Sequence, residues 1–242
     1  RSQNIKRDLS LLGDELLEKF ILQDVKASKY VNSFFSEENI LNHSKNKKNL
    51  FKADQRKVLI EELNKQYADL KTSYKTLNNI QSLSDSNTLS VTTGHQLNIF
   101  SGPLMVLYKI AQVISTANYL NSKINDFNYV PVFWIASEDH DFDEISEVNL
   151  ENNSVIWNLD SKNSPVGKIE LNDFEEVIQS YKDSIIDFEF KDMLESLIDS
   201  SYTDSESLST ATIKFIDSLF SKHGLIIIDS NKKAFKELFL EQ

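Results

Sequence analysis

The sequence predicts an α/β protein organised around one parallel strand–helix–strand crossover within residues 88–148. Three observations point to it. Residues 89–93 form a short run rich in β-branched side chains, the composition of a strand. Leu104, Val106, Leu107, Ile110, Val113, Ile114, Ala117 and Leu120 recur at helical spacing and give one wide apolar face. Residues 129–136 are almost continuously apolar, as in a strand buried on both faces of a parallel sheet. Ligands in such sheets bind beyond the carboxyl ends of the strands. Those ends are Gly94-His95-Gln96 and Ser137-Glu138-Asp139-His140-Asp141, which are expected to face one cleft.

The 242 residues suffice for a sizeable core in one large domain or two small ones. Five Gly and three Pro are few, which favours long helices over a turn-rich all-β fold. A net charge of −11 argues against a broad interface with nucleic acid, which requires a basic face. No run of about eighteen apolar residues is present, so no membrane-spanning helix is expected. Without cysteine the chain has no disulfide, thiolate metal site or cysteine nucleophile, and a reducing cytoplasm is the expected compartment. The chain opens on Arg1 and closes inside a helical pattern at Gln242, so it is expected to be the amino-terminal part of a longer protein.

Residues 1–86 read as a helical region. Leu9, Leu11, Leu12, Leu16, Leu17 and Phe20 recur at helical spacing, as do Val58, Leu59, Leu63, Tyr67, Leu70, Tyr74, Leu77 and Ile80 after a polar break at 42–49. This region is expected to be a packing layer without catalytic groups. Residues 87–146 form the crossover unit. There Gly94 is expected to supply an unusual backbone angle as the chain leaves the strand. Ser101 is expected to cap the following helix and Pro103 to occupy its first turn. Residues 147–203 read as an insertion, with short strands at 155–159 and 168–171 around a Ser164-Pro165-Val166-Gly167 turn, then helix from Asp173 to about residue 200. Residues 204–242 return to the core with an amphipathic helix over 207–222, a stop at His223-Gly224, a buried strand at 225–228 and a new helix start at Lys232.

Glu138, Asp139, His140, Asp141, Asp143 and Glu144 crowd the second strand end. Crowded carboxylates raise one another's pKa and can hold Mg²⁺ or orient a substrate amine. Asp143 and Glu144 also suit the first turn of a helix, where acids are favoured. At the first strand end, Gly94-His95-Gln96 precede a Ser101-Gly102-Pro103 helix start. Helix N-termini attract anions, and Gly102 is expected to let a phosphate or carboxylate approach the backbone. Lys109, about two turns into the helix, either reaches such a phosphate or faces solvent. Trp134 is either core or a ligand platform. The common nucleotide loops, the nucleophile elbow and the His-Glu-x-x-His metal motif are absent.

Thr93-Gly94-His95-Gln96, Ser101-Gly102-Pro103-Leu104 with Lys109, and the block Pro131-Val-Phe-Trp-Ile-Ala-Ser-Glu-Asp-His-Asp-Phe-Asp-Glu144 together resemble the bacillithiol-biosynthesis cysteine-adding enzymes, a family of cysteine ligases. Lys222-His-Gly-Leu-Ile-Ile-Ile-Asp229 matches as well. The family commonly has Gly-Gln-Gln where this chain has Gly94-His95-Gln96. The resemblance implies a Rossmann-like parallel-sheet core similar to class I aminoacyl-tRNA synthetases, with Ser101-Gly102-Pro103-Leu104 at the place of their His-x-Gly-His helix opening. It implies the last step of bacillithiol synthesis, an amide bond between the carboxyl of cysteine and the amino group of glucosaminyl-malate. Cysteine and glucosaminyl-malate are thus the expected partners, with a homodimer formed through a coiled-coil arm beyond Gln242.

Amide formation needs an activated carboxyl, so ATP is expected, while the use of a metal is left open. In that scheme Gly94, Gln96, Ser101, Gly102, Pro103, Lys109 and Trp134 line the substrate site, and the Gly94 loop and Gly102 helix start hold phosphate. Glu138, Asp139 and Asp141 orient the amines or a metal. The catalytic candidates are His95, Asp139 and His140, a histidine taking the proton of the attacking amine. Two rival readings stand beside it. A metal-dependent phosphohydrolase would bind divalent cations through Glu138, Asp139 and Asp141, and a non-enzymatic scaffold would rely on the helical first third.

Overall fold

The computed structural model describes residues 13–150, 153–159, 164–172, 174–185 and 189–240; Leu9, Leu11, Leu12 and Asp173 of the expected helices lie outside them. The chain divides into two compact units, Arg1–Lys47 and Lys48–Gln242. In the first, α1 (Glu15–Ile21) starts at Asp14, whose carboxylate accepts from the Leu16 and Leu17 N–H groups at 2.8 and 3.1 Å. A short 3₁₀ turn leads to α2 (Glu37–Lys47), and the rings of Phe20 and Phe34 meet at 5.9 Å.

The second unit begins with α3 (Ala53–Gln66) and α4 (Tyr74–Ser82), followed by β1 (Thr88–Gln96), α5 (Leu104–Lys123) and β2 (Asn128–Ala136). Next come α6 (Phe142–Ile145), the hairpin strands β3 (Glu147–Asn149) and β4 (Ser154–Ile156), α7 (Glu175–Ser184) and α8 (Lys191–Ile198). The chain closes with α9 (Leu208–Phe220), β5 (Ile226–Asp229) and α10 (Lys233–Leu240). The main sheet has the order β1-β2-β5 and is parallel throughout, so the most apolar strand is the central one. Side chains alternate across it. Phe133, Ile135 and Ile227 join Ile110 of α5 and Phe215 of α9 in one core, while Val130, Val132, Ile226 and Ile228 join Leu63 of α3 and Ile80 of α4 in the other. Each fully buried aliphatic side chain contributes about 1.5–3 kcal/mol. Helices therefore cover both faces of a parallel sheet, the expected α/β architecture. The expected boundary at 86/87 falls inside the second unit, because α3 and α4 form one of its layers.

β5 ends the sheet, yet its outer edge is not open. The Tyr67 hydroxyl accepts from the Ile227 N–H at 2.8 Å. The Gln66 amide donates to the Ile227 carbonyl at 2.8 Å and accepts from the Asp229 N–H at 3.1 Å. Two side chains at the end of α3 thus stand where a further strand would bond, which blocks edge-to-edge association.

Local differences from the sequence reading have physical causes. β1 runs on through Gly94, His95 and Gln96, because all three stay in register with Trp134, Ile135 and Ala136. Leu104 is 62% exposed, at the start of α5, while Val106 to Leu120 bury the expected face. Of the run at 155–159 only the first part pairs, in the short hairpin. The expected strand at 168–171 is instead a 3₁₀ turn over Val166–Lys168 and a single bridge from Glu170 to Ser207. The Lys168 and Ile169 amides close this turn on the Pro165 and Val166 carbonyls at 2.9 and 3.3 Å, and just ahead of them Val166 donates to the Asp139 carbonyl at 2.7 Å and Gly167 to the Ser137 carbonyl at 3.0 Å.

Replacing Tyr67 by Phe leaves the buried Ile227 N–H without its acceptor. Chemical denaturation of the Tyr67→Phe variant should show a loss of about 1–3 kcal/mol; an unchanged midpoint would mean that this contact does not hold the edge.

Candidate active site

The parallel register sets Gln96, the last residue of β1, beside Ala136, the last of β2, three positions before Asp139. The Gln96 amide nitrogen donates to the Asp139 carboxylate at 2.6 Å and to the Glu144 carboxylate at 2.9 Å. The other Asp139 oxygen accepts from the N–H groups of His140 at 2.6 Å and Asp141 at 3.2 Å. Crowding of acids was expected to raise these pKa values. At Asp139 the opposite holds: the Gln96 amide, then the Asp141 and His140 N–H groups, keep its carboxyl below the ordinary aspartate range.

The other acids diverge from this point. Asp141 is the N-cap of α6 and accepts from the Glu144 N–H at 3.2 Å, with Asp143 and Glu144 in the first turn. Glu138 points to the opposite side, where its carboxylate meets the Ser230 hydroxyl, itself 2.8 Å from the Ile135 carbonyl. Among the described residues no three His, Asp or Glu gather in an arrangement that holds a metal. The convergence of Glu138, Asp139 and Asp141 required by a metal-dependent phosphohydrolase is therefore not the observed arrangement. His95 is half-buried with Nδ1 3.1 Å from the Gln96 carbonyl oxygen, and His140 is exposed beside Asp139.

The β1–α5 turn differs from the expected phosphate cradle. Phe100, Ser101 and Gly102 all have positive φ, at 50°, 68° and 58°. For a bulky residue such as Phe100 this is a strained conformation. It is held by the Tyr202 hydroxyl, which accepts from the Phe100 N–H at 2.8 Å, and by ring contacts with Tyr181, Tyr202 and Phe174 at 4.4, 5.1 and 5.7 Å. Ser101 is buried in this turn, and Pro103, exposed, takes the N-cap position that Ser101 was expected to fill. A Cβ on Gly102 would lie 2.4 Å from the Asn98 Cβ, so the space beside its backbone belongs to Asn98 and not to an anion. Gly94 has no positive φ; it is small because the Trp134 carbonyl oxygen would lie 3.3 Å from a Cβ there. Trp134 itself packs, half-buried, against the α3–α4 core. Lys109 is half-buried, and its ammonium donates to the Gly94 carbonyl at 2.5 Å, which ties α5 to the end of β1.

A cavity of about 480 Å³ opens on the far side of the acidic loop, beyond the carboxyl ends of β2 and β5. Its floor includes Ser137, Ser209 and Asp229, all buried. The Ser137 hydroxyl bonds one Asp229 oxygen, Ser209 donates to the other at 2.8 Å, and the Asn231 N–H adds a contact at 3.0 Å. These residues were missed by sequence reasoning. The signal was present in Asp229-Ser230-Asn231 directly after a buried strand, the third strand end of the same sheet.

The family comparison bears on both sides of this loop. A family model described as "Bacillithiol biosynthesis BshC, N-terminal Rossmann-like domain" matches residues 3–242. The chain belongs to this family. Among curated BshC relatives, a Flavobacterium johnsoniae protein named "Putative cysteine ligase BshC" is 35% identical over 226 residues, 93% of this chain and 42% of its own length. Namesakes from Flavobacterium psychrophilum and Cytophaga hutchinsonii are each 34% identical, over 93% and 76% of this chain and 43% and 33% of their own. The chain thus spans less than half the length of the BshC proteins it matches. The Rossmann-like core expected from the resemblance is the one the family model describes, and no helix among the described residues is long and apolar enough to cross a membrane.

The depressed Asp139 pKa makes a pH prediction. A lowered folded-state value favours the ionised form, so its contribution is complete above the ordinary aspartate range and is lost as pH falls through the depressed value. Gln96→Leu removes the largest cause. NMR titration of the Asp139 carboxyl should show its pKa rising in this variant; no rise would remove Gln96 as the controlling group.

Proposed function

We propose that the full protein is a carbon–nitrogen ligase that joins the carboxyl of cysteine to the amino group of glucosaminyl-malate, the last step of bacillithiol synthesis. The observation that carries this reading is the Gln96 amide bridging Asp139 and Glu144 at the carboxyl ends of adjacent parallel strands, in a chain of the BshC family. The cysteine ligase name of the relatives supports it. An Asp139 held ionised accepts hydrogen bonds from an amine and keeps it oriented, with Glu144 as a second acceptor.

Amide formation then requires that the amine nitrogen attack the carbonyl carbon while the bond to the leaving group breaks with its electron pair. The surplus amine proton passes to a base, and His140, exposed beside Asp139, is the candidate, with His95 the alternative. A free carboxylate offers no adequate leaving group, so activation by ATP belongs to the proposal. So do a reducing cytoplasm, which preserves a thiol product, and a homodimer formed through a coiled-coil arm.

The test uses the full-length protein with cysteine, glucosaminyl-malate and ATP, trapping thiols with a fluorescent label. A new labelled thiol should form only when ATP is present. Asp139→Ala and His140→Ala should lower kcat by about 10²- to 10⁴-fold. Full activity in both variants would sink the residue assignment, and absence of product with or without ATP would sink the reaction.

A further inference from the structure

We infer that the cavity beyond β2 and β5 is a binding site for a small polar molecule that carries both an ammonium and a carboxylate group. About 480 Å³ is within the range of small-molecule sites. Its place, outside the carboxyl ends of parallel strands, is where such sheets hold ligands. Its chemistry is polar, and its rim is mixed in sign. Lys65, Lys168 and Lys232 bring positive charge, and Glu170 and Glu206 bring negative charge, above the buried Asp229. The lining charges therefore cancel. A phosphate or a simple polyanion calls for a positive excess, and a bare cation for a negative one. A balanced rim fits a ligand with both signs.

Not all of these charges are already spent. Lys65 bonds Glu62 at 2.5 Å, Lys232 lies 3.6 Å from Asp229, and Glu170 accepts from Asn172 at 2.8 Å. Lys168 and Glu206 are exposed and form no ion pair among the described residues. They sit on two segments that are pinned to each other: Leu208 donates to the Ile169 carbonyl at 3.0 Å, and Glu170 bridges Ser207. The cation and the acid are thus carried by one fixed wall, which can present both to a single ligand. The wall is fixed to the floor as well. A Cβ on Gly167 would lie 2.5 Å from the Ser137 Cβ and 2.9 Å from its carbonyl oxygen, so the backbone of the inserted segment rests directly on the end of β2. Asn231, also lining the cavity, has a buried amide nitrogen without an acceptor among the described residues. A floor of hydroxyls around a buried carboxylate is costly to desolvate unless it is kept satisfied, and here every Asp229 oxygen is bonded.

Two molecules of the proposed reaction have this chemistry, the amino acid and the amino-sugar acid. Naming them as probes rests on the proposed function; the charge pattern of the cavity does not. Isothermal titration of the full-length protein with L-cysteine, glucosaminyl-malate and inorganic phosphate separates the sources. One of the first two should bind, and Lys168→Ala and Glu206→Gln should each weaken it by about tenfold, a change of 1.4 kcal/mol. Both side chains are exposed, so an unchanged melting temperature shows that the variants fold. The inference is overturned if neither zwitterionic probe binds, if both variants bind them as the wild type does, or if phosphate alone binds and only Lys168→Ala responds. The thiol assay keeps the two ideas apart. Product formation with both KM values unmoved by the variants overturns the cavity assignment and leaves the ligase reading. Probe binding that is lost in the variants, with no product under any condition, supports the cavity and removes the ligase reading.

Discussion

The arrangement of the second unit depends on one buried carboxylate. Asp229 closes β5 and is 6% exposed. Its backbone N–H goes to Gln66 at the end of α3, and its side chain takes Ser137 from the end of β2, Ser209 from the first turn of α9 and the Asn231 N–H ahead of α10. The carboxylate thus ties together β2, α9 and the segment ahead of α10, and the backbone N–H of the same residue adds α3. A carboxylate buried this far is tolerated because its oxygens are satisfied, and the same satisfaction makes the site rigid. Removing the carboxylate would leave two buried serine hydroxyls unpartnered, a cost of about 1–3 kcal/mol for each group.

Around that hub the sheet is protected asymmetrically. The β5 edge is covered by Gln66 and Tyr67, and β2 is enclosed by two strands and two cores. Pro131 sits in the central strand without an N–H to donate, and β5 pairs with β2 only from Val132 onward, one residue later. On the β1 side, the exit of the chain is set by strain: Phe100 adopts a backbone angle foreign to its type because an aromatic cluster and the Tyr202 hydroxyl over-determine it. The stiff turn aims α5 back along the sheet and leaves Gln96 at the strand end, where it meets Asp139.

What could be read from the sequence follows the range of the forces involved. The central strand and the buried face of α5 were legible because periodicity and apolar runs are local. So was the meeting of the β1 and β2 ends, because a parallel crossover brings successive strand ends together. Gln96 and Asp139 were found this way. What Glu138 and Asp141 do was not legible. Neighbours in an acidic run look alike in sequence, yet Glu138 bonds Ser230, Asp141 caps α6, and Asp139 and Glu144 reach Gln96. The bond from Gln96 spans 43 residues and that from Ser137 to Asp229 spans 92, distances over which spacing carries no signal. The Ser101-Gly102-Pro103 start misled for a related reason: the same three residues suit a cap or a tight left-handed turn, and the choice was made by Tyr202, 102 positions from Phe100. The strand expected at 168–171 gave way to a turn because the Lys168 and Ile169 amides close on Pro165 and Val166, while the preceding Val166 and Gly167 amides found the carbonyls of the acidic loop.

Those two amides also explain why the acidic loop serves two sides without loosening. Ser137, Glu138 and Asp139 are consecutive, and they point in turn to Asp229, Ser230 and Gln96. Three side chains leaving one short turn in different directions need a backbone that does not rotate between them. The carbonyls of Ser137 and Asp139 are held by Gly167 and Val166 of the inserted segment, and the Asp139 carboxylate holds the two N–H groups that follow it. The turn is therefore braced by hydrogen bonds at both ends, between the buried Ile135 and Phe142 of the core. The inserted segment, which in sequence looks like a detour between core elements, is what keeps the Gln96–Asp139 contact and the floor of the cavity in a fixed mutual geometry.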